Sequence, residues 1–215
     1  AGRQVATVDG TGAVIQTTYD GIGRVVQRVA YATGVDTSTW LVSGAVVKTE
    51  LVFAATAPAL TGTQAWVQTS AANDRTTNRT YDTAGRLSTE TVLGVDNTQT
   101  LRTTYSYDAA NRLIQTSVTD GANTAATART TRYLYDAADR QIATIDALNT
   151  VTETVYDFGG RVVKTIRYAN VSGSPAATTL AALRPGTNTK DQIARYFYDG
   201  RGNQTGVLES IAATV

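Results

Sequence analysis

Apolar and polar residues alternate along this chain in short runs, each ended by a cluster of Asp, Gly or Asn. Residues 24–31, RVVQRVAY, place Val25, Val29 and Tyr31 on one side of an extended backbone with Gln27, and Val26 and Ala30 on the other with Arg24 and Arg28. Residues 112–119, RLIQTSVT, mix apolar and polar groups on both sides in the same way. A period of two residues predicts strands, and the closing turn residues join them into consecutive hairpins. A sandwich strand would keep one face apolar. The mixed faces therefore predict a sheet wet on both sides, held by hydrogen-bonded ladders and aromatic rows more than by one thick core.

One turn recurs: YDGIGRV at 19, YDTAGRL at 81, YDAANRL at 107, YDAADRQ at 135, YDFGGRV at 156 and YDGRGNQ at 198. The spacings of 62, 26, 28, 21 and 42 residues suggest a base unit close to 21 with insertions. Regular self-similarity of this kind marks a repeat architecture. Asp20, Asp82, Asp108, Asp136, Asp157 and Asp199 stand where a carboxylate accepts hydrogen bonds from amides further along the turn. Gly23, Gly85, Gly160 and Gly202, replaced by Asn111 and Asp139 elsewhere, occupy the position that needs positive φ, and these residue types tolerate it best. Arg24, Arg86, Arg112, Arg140 and Arg161 open the returning strand, placed to pair with the turn aspartate or to lie over a neighbouring tyrosine. Asn203 takes that place in the last copy.

In stacked hairpins, equivalent positions line up across the sheet. Tyr19, Tyr81, Tyr107, Tyr135, Tyr156 and Tyr198 are thus expected to form an aromatic ladder that pins the strand register, with Tyr105, Tyr133 and Tyr196 on the same face two residues earlier. A weaker turn lies between the YD copies, in VDGTGA at 8, TDGANT at 119 and IDALNT at 145.

A longer repeat overlies the short one. Residues 3–32 align without gaps to 140–169, an offset of 137, with half of the thirty positions identical. Insertions follow at 33–73 and 170–190, each returning to an aspartate seven residues before the next YD tyrosine, Asp74 before Tyr81 and Asp191 before Tyr198. The second insertion, with Ser174 and Pro175 at its start and Gly186 near its end, predicts a short helix. The whole of 1–215 reads as a single YD-repeat array, a fragment of a longer repetitive chain that begins in mid-motif at AGRQV.

Composition narrows the function. Charged residues are 17%, below the ordinary share, and the 39 threonines favour extended backbone. A net charge of +1 lacks the concentrated basic surface that nucleic acid or anionic membrane requires, and no apolar run is long enough for a membrane span. There is no cysteine and no histidine, which removes thiolate chemistry and the commonest general base and metal ligand. No P-loop, dinucleotide fingerprint or nucleophile elbow occurs, and the turns DGTG and VDNT do not match a calcium loop. Glu50, Glu90, Glu153 and Glu209 stand isolated along the chain. No catalytic residue, cofactor or metal is predicted.

The turns YDTAGRL, YDGIGRV and YDFGGRV resemble those of the YD-repeat, or RHS-repeat, family. The resemblance implies a long strip of antiparallel hairpins coiled into a hollow β-shell, which in bacterial toxin-complex and RHS toxin relatives encloses a toxin and in animal teneurins belongs to an adhesion molecule. The autoproteolytic D-P-x-G-L segment of the toxin members has no counterpart here, because no aspartate precedes a proline. About sixteen strands at ~4.8 Å spacing would span roughly 75 Å, an arc of wall more than a complete capsule.

The fold expected is all-β, a long curved sheet, arc or spiral of consecutive hairpins with one short helix in an insertion. The function expected is a non-catalytic structural segment that encloses or scaffolds, in a secreted or surface bacterial protein. Further YD repeats of the same or a neighbouring chain would be its partners, with an enclosed toxin as possible cargo. The other reading is an extracellular adhesive or filamentous protein binding glycans or partner proteins through the tyrosine rows, the insertions, or Trp40 and Trp66.

Overall fold

The computed structural model describes residues 3–37, 40–42, 45–46, 50–56, 58–60, 64–70, 72–94, 98–121 and 128–211. Its strands are β1 (Ala6–Val8), β2 (Val14–Tyr19), β3 (Val25–Ala30), β4 (Leu41–Val42), β5 (Ala45–Val46), β6 (Glu50–Ala54), β7 (Gln64–Gln68), β8 (Arg75–Tyr81) and β9 (Leu87–Leu93). They continue as β10 (Gln99–Tyr107), β11 (Leu113–Asp120), β12 (Arg129–Tyr135), β13 (Gln141–Ile145), β14 (Thr150–Tyr156), β15 (Val162–Val171), β16 (Gln192–Tyr198) and β17 (Gln204–Ile211), with one helix, α1 (Leu180–Leu183).

Thirteen strands form one sheet in the order β1-β2-β3-β8-β9-β10-β11-β12-β13-β14-β15-β16-β17. Chain order is kept except that β3 pairs directly with β8, leaving the first insertion outside the ladder. Its strands pair among themselves, β4 with β5 antiparallel and β6 with β7 parallel, Glu50 opposite Gln64 and Ala54 opposite Gln68. The expected single run of about sixteen hairpin strands is thus divided, because the ladder positions beside β3 are already taken by β8. No helix among the described residues is long and apolar enough to cross a membrane.

The hairpins have a local cause. Gly23 donates its amide to the Asp20 carbonyl at 3.0 Å, and Asp20 donates to the Arg24 carbonyl at 2.9 Å. This is a type I turn followed by a residue of positive φ, which inserts one extra residue into the returning strand. The register accordingly shifts between Thr18 and Tyr19, and likewise at Tyr81, Tyr135, Tyr156 and Tyr198.

Two compact units divide the chain, Ala1–Thr104 with Val118–Ala128, and Tyr105–Ser117 with Arg129–Val215. Each contains a small apolar core under its insertion, a feature the mixed strand patterns conceal. In the first, Val14, Val35 and Val67 are buried, with Val8, Tyr31, Trp40, Leu51 and Phe53 packed around them. In the second, Ala143, Ile145, Val151, Tyr168 and Leu183 are buried against Leu134, Ile166, Ala177 and Leu180. The strands that an insertion covers bury alternate residues, as Val151 and Glu153 do in β14, whereas β9 is half-buried throughout. The helix is a single turn capped by Thr179, whose hydroxyl accepts from the Ala182 amide, and it begins later than Ser174–Pro175. The carbonyl of Pro175 instead accepts from Arg132 at 2.8 Å, holding the start of the insertion to β12.

Candidate functional site

The six YD turns share one geometry. One carboxylate oxygen of each turn aspartate accepts the amide four residues on, at 2.8–3.0 Å. The other accepts Nε of Arg24, Arg86, Arg112, Arg140 or Arg161 at 2.7–2.8 Å, and Nδ2 of Asn203 at 3.0 Å in the last copy. These bonds hold all six carboxyls below the usual carboxylate range. The following arginine's amide is the leading cause at Asp20, Asp82, Asp108 and Asp157, the Arg140 side chain at Asp136 and the Asn203 side chain at Asp199. Gly23, Gly85, Gly160, Gly202, Asn111 and Asp139 all have positive φ. Asp9 and Asp146 close the intermediate turns by the same pattern.

The arginine of one turn also reaches the next. Its guanidinium carbon lies over the following tyrosine ring, Arg24 over Tyr81 at 4.3 Å, Arg112 over Tyr135 at 5.0 Å, Arg140 over Tyr156 at 4.8 Å and Arg161 over Tyr198 at 5.0 Å. Arg3 does the same to Tyr19 at 5.7 Å. Each of these tyrosine hydroxyls donates to the carbonyl of the residue after the previous arginine, at Gln4, Val25, Leu113, Gln141 and Val162, over 2.7–2.9 Å. Arg112 and Arg140 further donate to the carbonyls of Asp136 and Asp157. Within each unit the row therefore alternates phenol and guanidinium, where repeat register alone suggests ring against ring. A cation over a ring face and a satisfied hydroxyl join neighbouring hairpins through side chains in addition to the ladder.

The glycine position serves this join as well as the turn. A Cβ on Gly23 would stand 2.6 Å from Arg3 Nη2, so the arginine occupies the space that a side chain would need. Where Asp139 replaces glycine, its carboxylate instead pairs with Arg112 at 2.8 Å. Tyr107 ends β10 and is half-buried, as are Tyr105, Tyr133 and Tyr196.

The 137-residue repeat carries a second set of contacts. Asp74 is 6% exposed and accepts the amides of Ala32 at 3.0 Å and Ser70 at 2.7 Å; Asp191 is 4% exposed and accepts those of Ala169 at 2.8 Å and Asn188 at 3.0 Å. The aspartate that ends each insertion thus ties its beginning to its end. Val35 donates to the Gly12 carbonyl and Ser172 to that of Asn149, which are equivalent positions. Tyr31 donates to Gln16 at 2.6 Å, and Tyr168 to Glu153 at 2.7 Å. At Glu153 the second insertion adds Arg184, bound through two hydrogen bonds of 2.8 and 2.6 Å. Burial alone would raise the Glu153 carboxyl; the bonds from Arg184 and Tyr168 outweigh it and hold the group low. Burial, followed by the Glu153 bond, pushes the Tyr168 hydroxyl up to about 12.

Three of the four glutamates that look isolated in sequence have side-chain partners. Glu153 binds Arg184, Glu90 pairs with Arg79 at 2.7 Å, and Glu50 accepts from Gln64 at 2.8 Å. The partner of Glu153 lies 31 residues away on an insertion that differs in length and sequence from the one after the first copy, so spacing gives no clue to it. The retention of Tyr31 and Tyr168, outside the turn motif, in the gapless alignment is the signal that marks the site. Trp40 packs on the first core, and Trp66 donates its indole N–H to the Ala54 carbonyl at 2.9 Å.

Comparison with known proteins agrees with this geometry. The family model for the RHS Repeat matches residues 92–125. No curated protein matches the chain by sequence. Among solved structures, the crystal structure of TcdB2-TccC3-Cdc42 superposes over 100% of this chain with a TM-score of 0.62 at 19% identity, and that of TcdB2-TccC3 over 94% with a TM-score of 0.57 at 18%. The Tc holotoxin pore of Photorhabdus luminescens matches over 94% with a TM-score of 0.56 at 18% identity. In each case this chain spans 8% of the length of the solved chain. The fold is that of these solved chains, an antiparallel sheet of consecutive hairpins. The RHS repeat itself is matched in the stretch running from β9 through β10 and β11.

Proposed function

We propose that this chain is a non-catalytic wall segment of a YD/RHS-repeat shell, acting by enclosure or scaffolding in a secreted or surface-displayed bacterial protein. The observation that carries this reading is the linkage of one turn to the next. Each link uses a motif arginine, a motif tyrosine and a main-chain carbonyl, so it can be repeated along any number of hairpins without a new contact having to be invented. Such a device suits a long wall more than a compact binding module. Further YD repeats are its natural neighbours. The resemblance of its turns to those of the toxin-complex RHS proteins makes an enclosed toxin the proposed cargo.

The same contacts weigh against sugar recognition by the tyrosine row. At Tyr19, Tyr81, Tyr135, Tyr156 and Tyr198 an arginine already covers a ring face and the hydroxyl is committed to the main chain. Electron cryomicroscopy of the full-length protein containing this segment tests the proposal. A closed lumen with these hairpins in its wall is the expected result; an open fibre or a free sheet would overturn it.

A further inference from the structure

Among the described residues, the first insertion packs through Val35 and Val67 on the Val14 face of its unit's sheet, and Arg28, Ala30 and Arg75 on the other face are exposed. On the open face of the first unit, Arg28 stands opposite Thr77, Arg75 opposite Ala30, and Arg79 opposite Glu90. Arg75, Thr77 and Arg79 alternate along β8 and so point to the same side. Together with Ile15 and Glu90 they line a shallow groove. Arg79 pairs with Glu90 at 2.7 Å, while Arg28 and Arg75 are exposed and have no ion-pair partner among the described residues.

These three arginines lie outside the turn register that accounts for Arg24, Arg86, Arg112, Arg140 and Arg161. Arg28 sits diagonally across from both Arg75 and Arg79, about 7–8 Å away by strand geometry, and gathering like charges on one sheet face costs stability. The repeat does not require them. The equivalent groove in the second unit has Thr165, Gln192 and Tyr196 at the matching places. The fold thus tolerates neutral residues at these three positions: the second groove keeps one arginine, Arg167, beside Glu209, whereas the first carries three arginines to one glutamate.

We propose that this groove docks an extended acidic segment of polypeptide, with carboxylates on alternate residues facing Arg28 and Arg75. Side chains on one side of a strand recur about every 6.6–7 Å, which matches the diagonal spacing of the arginines. A guanidinium fork binds a carboxylate through two parallel bonds. The floor of Ile15, Ala30 and Thr77 has no aromatic ring on which a base could stack, and two uncompensated charges are too few to track a nucleic-acid backbone. The surface belongs to the first unit by itself, so the proposal holds whether or not the chain forms part of a shell.

Fluorescence anisotropy with the 215-residue chain tests it, using a labelled eight-residue peptide of alternating Glu and Thr as probe. The variant Arg28→Thr with Arg75→Gln takes the residues the second unit has, which keeps the strand chemistry, and an unchanged melting curve confirms its fold. Binding that weakens roughly tenfold in this variant, falls with added salt and is untouched by Arg195→Gln supports the proposal. Equal binding by the parent and the double variant, or no binding by the parent at low salt, overturns it. A single-stranded oligonucleotide or a sulfated polysaccharide that binds more tightly than the peptide, with the same loss in the variant, overturns the choice of partner.

Discussion

Removing Arg184 leaves a carboxylate buried beneath the second insertion without its cation. Glu153 is 2% exposed, and Arg184 supplies two of its hydrogen bonds while Tyr168 supplies one. Breaking a buried ion pair from one side costs about 3–5 kcal/mol, and the partly exposed Arg184 side chain places Arg184→Ala near the lower end, about 3 kcal/mol. For a chain of this size that corresponds to a fall in Tm of roughly 6–12 °C. Glu153→Gln restores the group found at Gln16, which accepts from Tyr31 in the first unit, and frees Arg184 to meet water. Its cost is expected to be about 1 kcal/mol. The double variant should then be little worse than Glu153→Gln alone, giving a coupling of about 2–3 kcal/mol in chemical denaturation of all four proteins. Changes that add to within about 0.5 kcal/mol would refute the buried-pair account.

The pH dependence of the pair has a definite sign. The folded Glu153 carboxyl is held low, so its contribution is complete above the unfolded value near pH ~4.3 and is lost as pH falls through the lower folded value. In Arg184→Ala burial raises that carboxyl instead, so the gap between variant and parent should begin to narrow already above pH ~4.3, as the variant's carboxyl takes up its proton, and go on narrowing through the parent's lower folded value.

Several smaller tests reach other parts of the fold. Gly160→Ala meets no neighbour and should cost only the strain of a positive φ, about 1–2 kcal/mol, whereas Gly23→Ala must also displace Arg3 and should cost more in the same denaturation assay. Asp191→Asn can accept from the Ala169 or the Asn188 amide but presents an N–H to the other, so a loss of about 2–3 kcal/mol is expected, together with faster hydrogen exchange across 170–190. The six turn carboxyls are all held low, so their contribution persists above the ordinary carboxylate range and disappears together on acidification. A far-ultraviolet acid titration should accordingly show loss of sheet below that range, and loss beginning near neutral pH would contradict the assignment.

The turns were legible because their causes are local. An aspartate four residues before an arginine and one residue of positive φ between them specify the hairpin within five positions, and the exchanges to Asn111, Asp139 and Asn203 show which feature each place requires. The 137-residue alignment similarly exposed the two insertions and their closing Asp74 and Asp191. What remained hidden depends on contacts between distant segments. Leu183 gives no sign in sequence that it fills a core with Val151, nor Arg184 that it meets Glu153. The parallel pairing of β6 with β7 is equally silent, because hairpin periodicity says nothing about strands that lie outside the ladder. The tyrosine row was visible as a row, but its filling was ambiguous until Arg24, Arg112, Arg140 and Arg161 were seen over the rings of the next turn.

Coupling between Arg140 and Tyr156 is the most direct measure of whether one turn holds the next. In a cycle of Arg140→Gln, Tyr156→Leu and the double variant, the 4.8 Å approach of guanidinium to ring predicts a favourable coupling of about 0.5–1 kcal/mol. A coupling indistinguishable from zero, with both single variants still folded, would mean that the hairpins are joined by their backbone ladders alone and that the repeated tyrosine and arginine do not link them.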